Sequence, residues 1–146
     1  RLIQIIGVWV VLLLMGSPVG AQEVQRPGDE VQLSIVSFGV GGLARESEWT
    51  GVQVQMQDLG SSSRDVILRL TIPDEDGDQT QYDRVVTANP GVLQSFWLYC
   101  WLPPRSAGVE YELKAFEAID DGGADGPADI GFRAGRLLGA VPIYNP

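Results

Sequence analysis

The acidic segment at residues 74–78 has the spacing with which calcium-binding loops begin. Asp74, Asp76 and Asp78 stand at alternate positions, and alternate carboxylates can converge on a hard cation such as calcium. The chain lacks the glycine and the glutamate that an EF-hand loop requires at its sixth and twelfth positions. A solvent-exposed hairpin turn is therefore the first interpretation, and a calcium-binding, adhesive site is the alternative.

An aromatic row lies near the middle of the chain. Trp97, Tyr99 and Trp101 alternate with the smaller residues Leu98 and Cys100. On a β-strand, alternate residues lie on the same face, so the three rings would form a short ladder. Packing beneath a loop, a neighbouring domain or another subunit is the first interpretation of this ladder. A surface for a partner protein and a platform for sugar rings are the alternatives.

Nucleophilic chemistry is not favoured, because the sequence contains no histidine and a single cysteine, Cys100. Serine triads, cysteine–histidine dyads and histidine-bearing zinc sites are excluded on that ground. The carboxylate clusters lie in turn-like, water-exposed sequence. Such an environment does not give a carboxylic acid the raised pKa that a catalytic pair of carboxylates requires. We therefore expect a chain that is not an enzyme and requires no cofactor, with calcium as the one candidate ion.

Seven segments have the properties of β-strands, with turns rich in glycine and proline between them. They are residues 31–37, a segment that begins at residue 49, and residues 64–73, 80–88, 92–102, 109–118 and 136–143. No amphipathic helix follows residue 21. This pattern predicts an all-β fold, an antiparallel immunoglobulin-like β-sandwich of about seven strands, preceded by a signal-peptide helix. Residues 119–132, which are acidic and glycine-rich, are predicted to form a loop.

The N-terminal residues 1–21 have the pattern of a signal peptide cleaved before Gln22. Their apolar run, residues 5–15, is shorter than the roughly 20 residues that a membrane-spanning helix needs. An uncleaved anchor is the alternative. Residues 22–30 are interpreted as a flexible leader and residues 31–146 as one domain, with truncation before a following domain as an open alternative. We expect an exported protein that is periplasmic, on the cell surface or secreted.

The net charge restricts the class of partner, and the cysteine content bears on the kind of cell and compartment. The net charge of −9 and the lack of a basic stripe disfavour nucleic acid as a partner. One cysteine allows no intrachain disulfide, and an exported chain of this kind fits a bacterial envelope. We expect a protein partner or a neighbouring domain, and as an alternative a polysaccharide.

Arg45 and Trp49 are the candidate structural residues, because a guanidinium four residues before an indole can stack on its ring. A solvated Arg45 without such a stack is the alternative. The segment Arg45-x-x-x-Trp49-Thr-x-Val-x-Val, after a strand and a glycine-rich loop, resembles the N-terminal immunoglobulin-like domain of large exported bacterial envelope proteins. The resemblance covers residues 31–103. That family has proline and glycine where this chain has Glu46 and Ser47.

The resemblance implies an accessory module without catalytic residues. We therefore expect a non-catalytic binding or spacer module of the bacterial envelope, within a larger multidomain protein. A carbohydrate-binding module that uses the aromatic ladder is the alternative function, as is a calcium-dependent adhesion module.

Overall fold

The computed structural model describes residues 30–120 and 131–145. In these ranges the chain forms seven antiparallel strands and no helix. The strands are β1 (Val31–Phe38), β2 (Trp49–Asp58), β3 (Arg64–Pro73), β4 (Gln79–Ala88), β5 (Leu93–Trp101), β6 (Glu110–Asp120) and β7 (Phe132–Tyr144). The predicted all-β class is confirmed, whereas the predicted signal peptide and most of the leader lie outside the described residues.

The strands form two sheets. β1, β2 and β5 make a three-stranded sheet in that order, and β4, β3, β6 and β7 make a four-stranded sheet. Alternate residues of each strand face the space between the sheets, where apolar side chains from both sheets form one buried cluster. Val54 and Met56 of β2 and Leu68 and Leu70 of β3 are fully buried there.

The boundary of the last strand differs from the sequence-based prediction. β7 begins at Phe132 instead of Arg136, and β6 continues to Asp120. The two strands pair up to Asp120 and Phe132, since each added residue satisfies backbone hydrogen-bonding groups. A Cβ at Gly135 would lie 2.7 Å from Cδ1 of Ile119. This glycine therefore allows close packing within the sheet and does not mark a loop. Residues 121–130 of the predicted loop lie outside the described residues.

Glycines adopt positive φ in several of the turns. In the loop after β1, Gly39, Gly41 and Gly42 have φ of 79°, 65° and 82°. A Cβ at Gly39 would lie 2.1 Å from the carbonyl oxygen of Leu43, so only glycine fits there. In the turn before β5, Gly91 has φ of 70° and the amide of Val92 donates to the carbonyl oxygen of Asn89, as in a type II turn.

An ion-pair cluster (Glu30, Asp58, Arg64 and Arg136) joins the two sheets at one end. The Arg64 guanidinium donates to both oxygens of the fully buried Asp58 carboxylate, at 2.9 and 2.7 Å. It also donates to Glu30 at 2.9 Å, and Arg136 pairs with the same carboxylate. The hydrogen bonds from Arg136 and Arg64 lower the pKa of Glu30 from 4.5 to about 2.

A second set of contacts involves the loop before β2 and the loop before β6. The hydroxyl of Tyr111, near the start of β6, donates to the carbonyl oxygen of Ser106 at 3.5 Å. The amide of Ala107 donates to the carboxylate of Glu46 at 3.0 Å. Backbone amides of Ala107, Arg105 and Ser106 lower the pKa of Glu46. The loop before β2 is therefore held to the loop before β6.

Candidate functional site

The outer side of β5 carries the aromatic residues singled out from the sequence. Trp97, Tyr99 and Trp101 are 40%, 64% and 40% exposed, and we call their outward side the aromatic face. Leu98 and Cys100, between them, are buried against the other sheet. The two predicted rows of β5 are confirmed. The described residues leave a large part of each of these three side chains exposed, and the role of the aromatic face stays a prediction.

Gly51 gives the rings room to lie across the sheet. β2 pairs with β5 so that Gly51 lies opposite Tyr99 and Gln53 lies opposite Trp97. A Cβ at Gly51 would lie 3.1 Å from the Trp97 indole and 3.4 Å from the Tyr99 ring. The two rings are close to parallel, with 18° between their planes and 6.4 Å between their centroids. A strand glycine here permits close approach of the rings to the backbone.

A groove separates these rings from the glycine-rich loop. It has a volume of about 650 Å³ and is lined by Trp97, Tyr99, Gly51, Val36, Ser37 and the loop residues 39–42. Val36 lies at an irregularity in the pairing of β1 with β2, and it is 48% exposed. Val40, in the loop, is almost fully exposed. None of the lining residues carries a formal charge.

Three further rings meet beside the groove. Trp49, which is 66% exposed, lies opposite Trp101 in the pairing of β2 with β5. The rings of Trp49 and Trp101 are in edge contact at 6.3 Å, and Tyr82 of β4 meets Trp49 at 6.0 Å. The aromatic surface thus continues from the groove towards the end of β5 and includes a residue from the second sheet.

Side chains of β4 donate hydrogen bonds to backbone carbonyl oxygens at the edge of β5. The Arg84 guanidinium donates to the carbonyl oxygen of Trp97 and lies 6.0 Å from the centroid of the Phe96 ring. The Tyr82 hydroxyl donates to the carbonyl oxygen of Trp101 at 3.5 Å. These bonds occupy two backbone acceptors at an open strand edge and hold the backbone of the aromatic strand in place.

Arg45 and Trp49 do not form the stack that their spacing suggested. Both cation–π contacts among the described residues use other arginines, Arg69 and Arg84. The rings that meet Trp49 are those of Tyr82 and Trp101, and the Arg45 side chain is exposed. The pairing of β2 with β5 brings a tryptophan to Trp49, which the spacing within one loop could not indicate.

The acidic segment at residues 74–78 forms a hairpin turn. Gly77 has φ of 88°, and the amide of Asp74 donates to the carbonyl oxygen of Asp78 at 2.8 Å. One oxygen of the Asp74 carboxylate accepts the amides of Asp76 and Asp78 at 3.0 and 2.9 Å. In the part of the chain that the structure describes, no three acidic or thiol side chains are grouped to hold a metal ion. The calcium site stays a prediction.

Cys100 is enclosed by the core, and burial raises the pKa of its thiol from 9.0 to about 12. It therefore packs as a small apolar side chain.

Sequence reasoning missed the contributions of Gly51, Tyr82 and Val36 to the aromatic surface. The period-two pattern identifies which residues of one strand share a face, but it does not say which strand lies alongside. Gly51 carries a signal in principle, since a glycine inside a strand often marks the close approach of a ring or backbone.

The ranges 30–120 and 131–145 contain no helix long and apolar enough to span a bilayer. Comparisons of the chain with protein-family models, curated proteins and solved structures found no match.

Proposed function

We propose that this protein is a non-catalytic binding module of an exported bacterial envelope protein, and that the aromatic face is its binding surface. The observation that carries the proposal is the exposure of Trp97, Tyr99 and Trp101 on one sheet face. These rings contribute large apolar areas that folding alone would favour burying. Contiguous exposed apolar surface on a soluble domain is typical of an interaction site.

A purely structural spacer would not need this surface. The core between the sheets is complete without it, because the inner row of β5 already packs against both sheets. Trp, Tyr and Arg are the residues that most often dominate binding energy at interfaces. The aromatic face combines two tryptophans with Tyr99, and Arg84 fixes the backbone beneath them.

Two features support an immunoglobulin-like sandwich. The strand order matches a seven-strand immunoglobulin domain, except that the fourth strand lies on the opposite sheet. Immunoglobulin domains also have a tyrosine near the start of the sixth strand, whose hydroxyl bonds to backbone a few residues upstream. Tyr111 makes this kind of bond to Ser106.

The loop before β2 supports the resemblance to the envelope-protein domain. Ser47 has φ of 58°, which is the left-handed region that glycine tolerates best. The resembled family has glycine at this position. Glu46 replaces the family's proline and is held by the amide of Ala107. The loop thus keeps the backbone shape that the family's glycine would permit, although the residues differ.

The proposed location and partners follow from the sequence features. An N-terminal signal pattern, a single cysteine and an acidic charge fit export into the bacterial periplasm, to the cell surface or to the exterior. In such a place the module, as part of a larger protein, would present its face to envelope material.

Sedimentation with envelope fragments of the source bacterium tests this function. We expect the purified protein to bind the fragments and the Trp97→Ala variant to bind roughly tenfold more weakly, because aromatic anchors dominate such surfaces. Tyr144→Ala is the matched control, since Tyr144 is 62% exposed on the other sheet. Equal binding by wild type and Trp97→Ala, or no binding by the wild type, would overturn the proposal.

A further inference from the structure

We infer that the ligand of the aromatic face is a neutral polysaccharide, an inference that rests on the binding function proposed above. It is carried by three properties of the groove and its surroundings: the absence of charge, the arrangement of two rings, and the amide side chains beside them.

The groove offers nothing to a charged ligand. Its lining consists of glycines, Ser37, two valines and the rings of Trp97 and Tyr99. A polyanion would approach a chain of net charge −9 without a basic group in the groove to pair with. A basic peptide would find no carboxylate there. Membrane lipids are also disfavoured, because surface-binding elements pair their apolar side with lysine and arginine.

The rings of Trp97 and Tyr99 follow one another along β5. They are 18° from parallel, with 6.4 Å between their centroids. The C–H face of a pyranose is weakly positive and packs against the negative face of an aromatic ring. Trp97 and Tyr99 therefore offer a sugar chain aromatic contacts at neighbouring positions of one strand.

Neutral hydrogen-bonding groups lie next to the rings. Gln53, Gln55 and Gln57 follow Gly51 on the outer side of β2 and are partly exposed. Gln53 lies opposite Trp97, and its amide nitrogen donates to the hydroxyl of Ser95 at 3.3 Å. An amide and a hydroxyl can each both donate and accept, as sugar hydroxyls do. Apolar rings with a few uncharged polar groups are the composition of a specific ligand site.

Quenching of tryptophan fluorescence by fractions of the same envelope tests the ligand class. Protease digestion followed by anion exchange separates a neutral polysaccharide fraction from an acidic polysaccharide fraction, and solubilised envelope protein is the third probe. We expect the neutral fraction to bind. Binding should weaken at least tenfold in Trp97→Ala and Tyr99→Ala, and several-fold in Gln53→Ala. The Tyr144→Ala control should bind like the wild type.

The outcomes separate this inference from the function on which it rests. Binding to the neutral fraction that depends on Trp97 supports the inference. Trp97-dependent binding to the acidic or protein fraction alone would overturn the neutral polysaccharide and leave the binding function intact. Binding that is unchanged in Trp97→Ala, or the absence of binding to any fraction, would overturn both the inference and the binding function.

Discussion

Cys100 shows how alternation along one strand decides the chemistry of a side chain. It lies between Tyr99 and Trp101, yet its thiol faces the core and burial raises its pKa to about 12. Since the thiolate is the reactive form, we expect no reaction with a thiol reagent in the native state and full reaction after unfolding. In the Ser95→Cys variant an exposed thiol on the same strand should react at once. Equal native rates for the two positions would contradict this account.

Ser47 bears a conformational cost that glycine would not. Holding an L-residue in the left-handed region costs about 1 to 2 kcal/mol of folding free energy. Glycine avoids this cost, but its flexibility stabilises the unfolded chain and offsets about 0.4 to 1 kcal/mol of the gain. We therefore expect Ser47→Gly to raise the free energy of unfolding by about 0.5 to 1 kcal/mol, measured by denaturant unfolding. Ser47→Ala keeps the strained backbone and should bring no gain. A destabilised Ser47→Gly would show that the hydroxyl, and not the backbone, matters.

At the scale of residues, the sequence predicted the rows of β5 but not their neighbours. Trp97, Tyr99 and Trp101 share a face because strand side chains alternate, which requires no knowledge of the rest of the fold. Trp49 and Gly51 join that face only because β2 pairs with β5 in one register. Register depends on contacts between distant segments. The spacing within one loop therefore predicts Arg45 as the partner of Trp49, whereas the partner in the structure is Trp101.

Gly51 links the geometry of β2 to the proposed binding surface. Alanine at this position of β2 would place a Cβ 3.1 Å from the Trp97 indole and displace the ring outward. Inside a strand, alanine is favoured over glycine by roughly 0.5 to 1 kcal/mol. We therefore expect Gly51→Ala to weaken ligand binding several-fold without lowering the melting temperature. Loss of stability together with loss of binding would show that Gly51 serves packing alone.

The strands themselves were largely predictable, because their period-two patterns end at turns rich in glycine and proline. β3 has the predicted bounds, Arg64–Pro73. The start of β7 was missed because Gly131 and Gly135 have the composition of a loop. In the structure Gly135 makes room for Ile119 of the paired strand. A glycine needed for packing and a glycine needed for a turn cannot be told apart from one sequence.

At the scale of the whole molecule, we expect the ion-pair cluster to stabilise the contact between the two sheets. Removing Arg64 leaves the fully buried Asp58 carboxylate without its cation, which costs about 3 to 5 kcal/mol in comparable buried pairs. Arg136 is half exposed, so water screens its pair with Glu30 and the pair contributes little to stability. We expect Arg64→Met to lower the free energy of unfolding far more than Arg136→Gln. Similar losses would contradict a buried role for Asp58.

The same cluster gives the fold an acid dependence. The pKa of Glu30 is lowered from 4.5 in the unfolded chain to about 2. Its contribution to stability is therefore complete above pH 4.5 and is lost as the pH falls towards 2. In Glu30→Gln this loss should be smaller, as measured by unfolding at several pH values. An unchanged acid dependence would show that Glu30 does not carry it.

The sandwich buries its core without the aromatic face, which we propose is left for a ligand. Tyr99→Ala tests this most directly, because Tyr99 is the most exposed ring of the face. Its affinity for envelope fragments and its melting temperature should be measured together. We predict roughly tenfold weaker binding and a melting temperature within about 4 °C of the wild type. A large drop in melting temperature with unchanged binding would contradict the account.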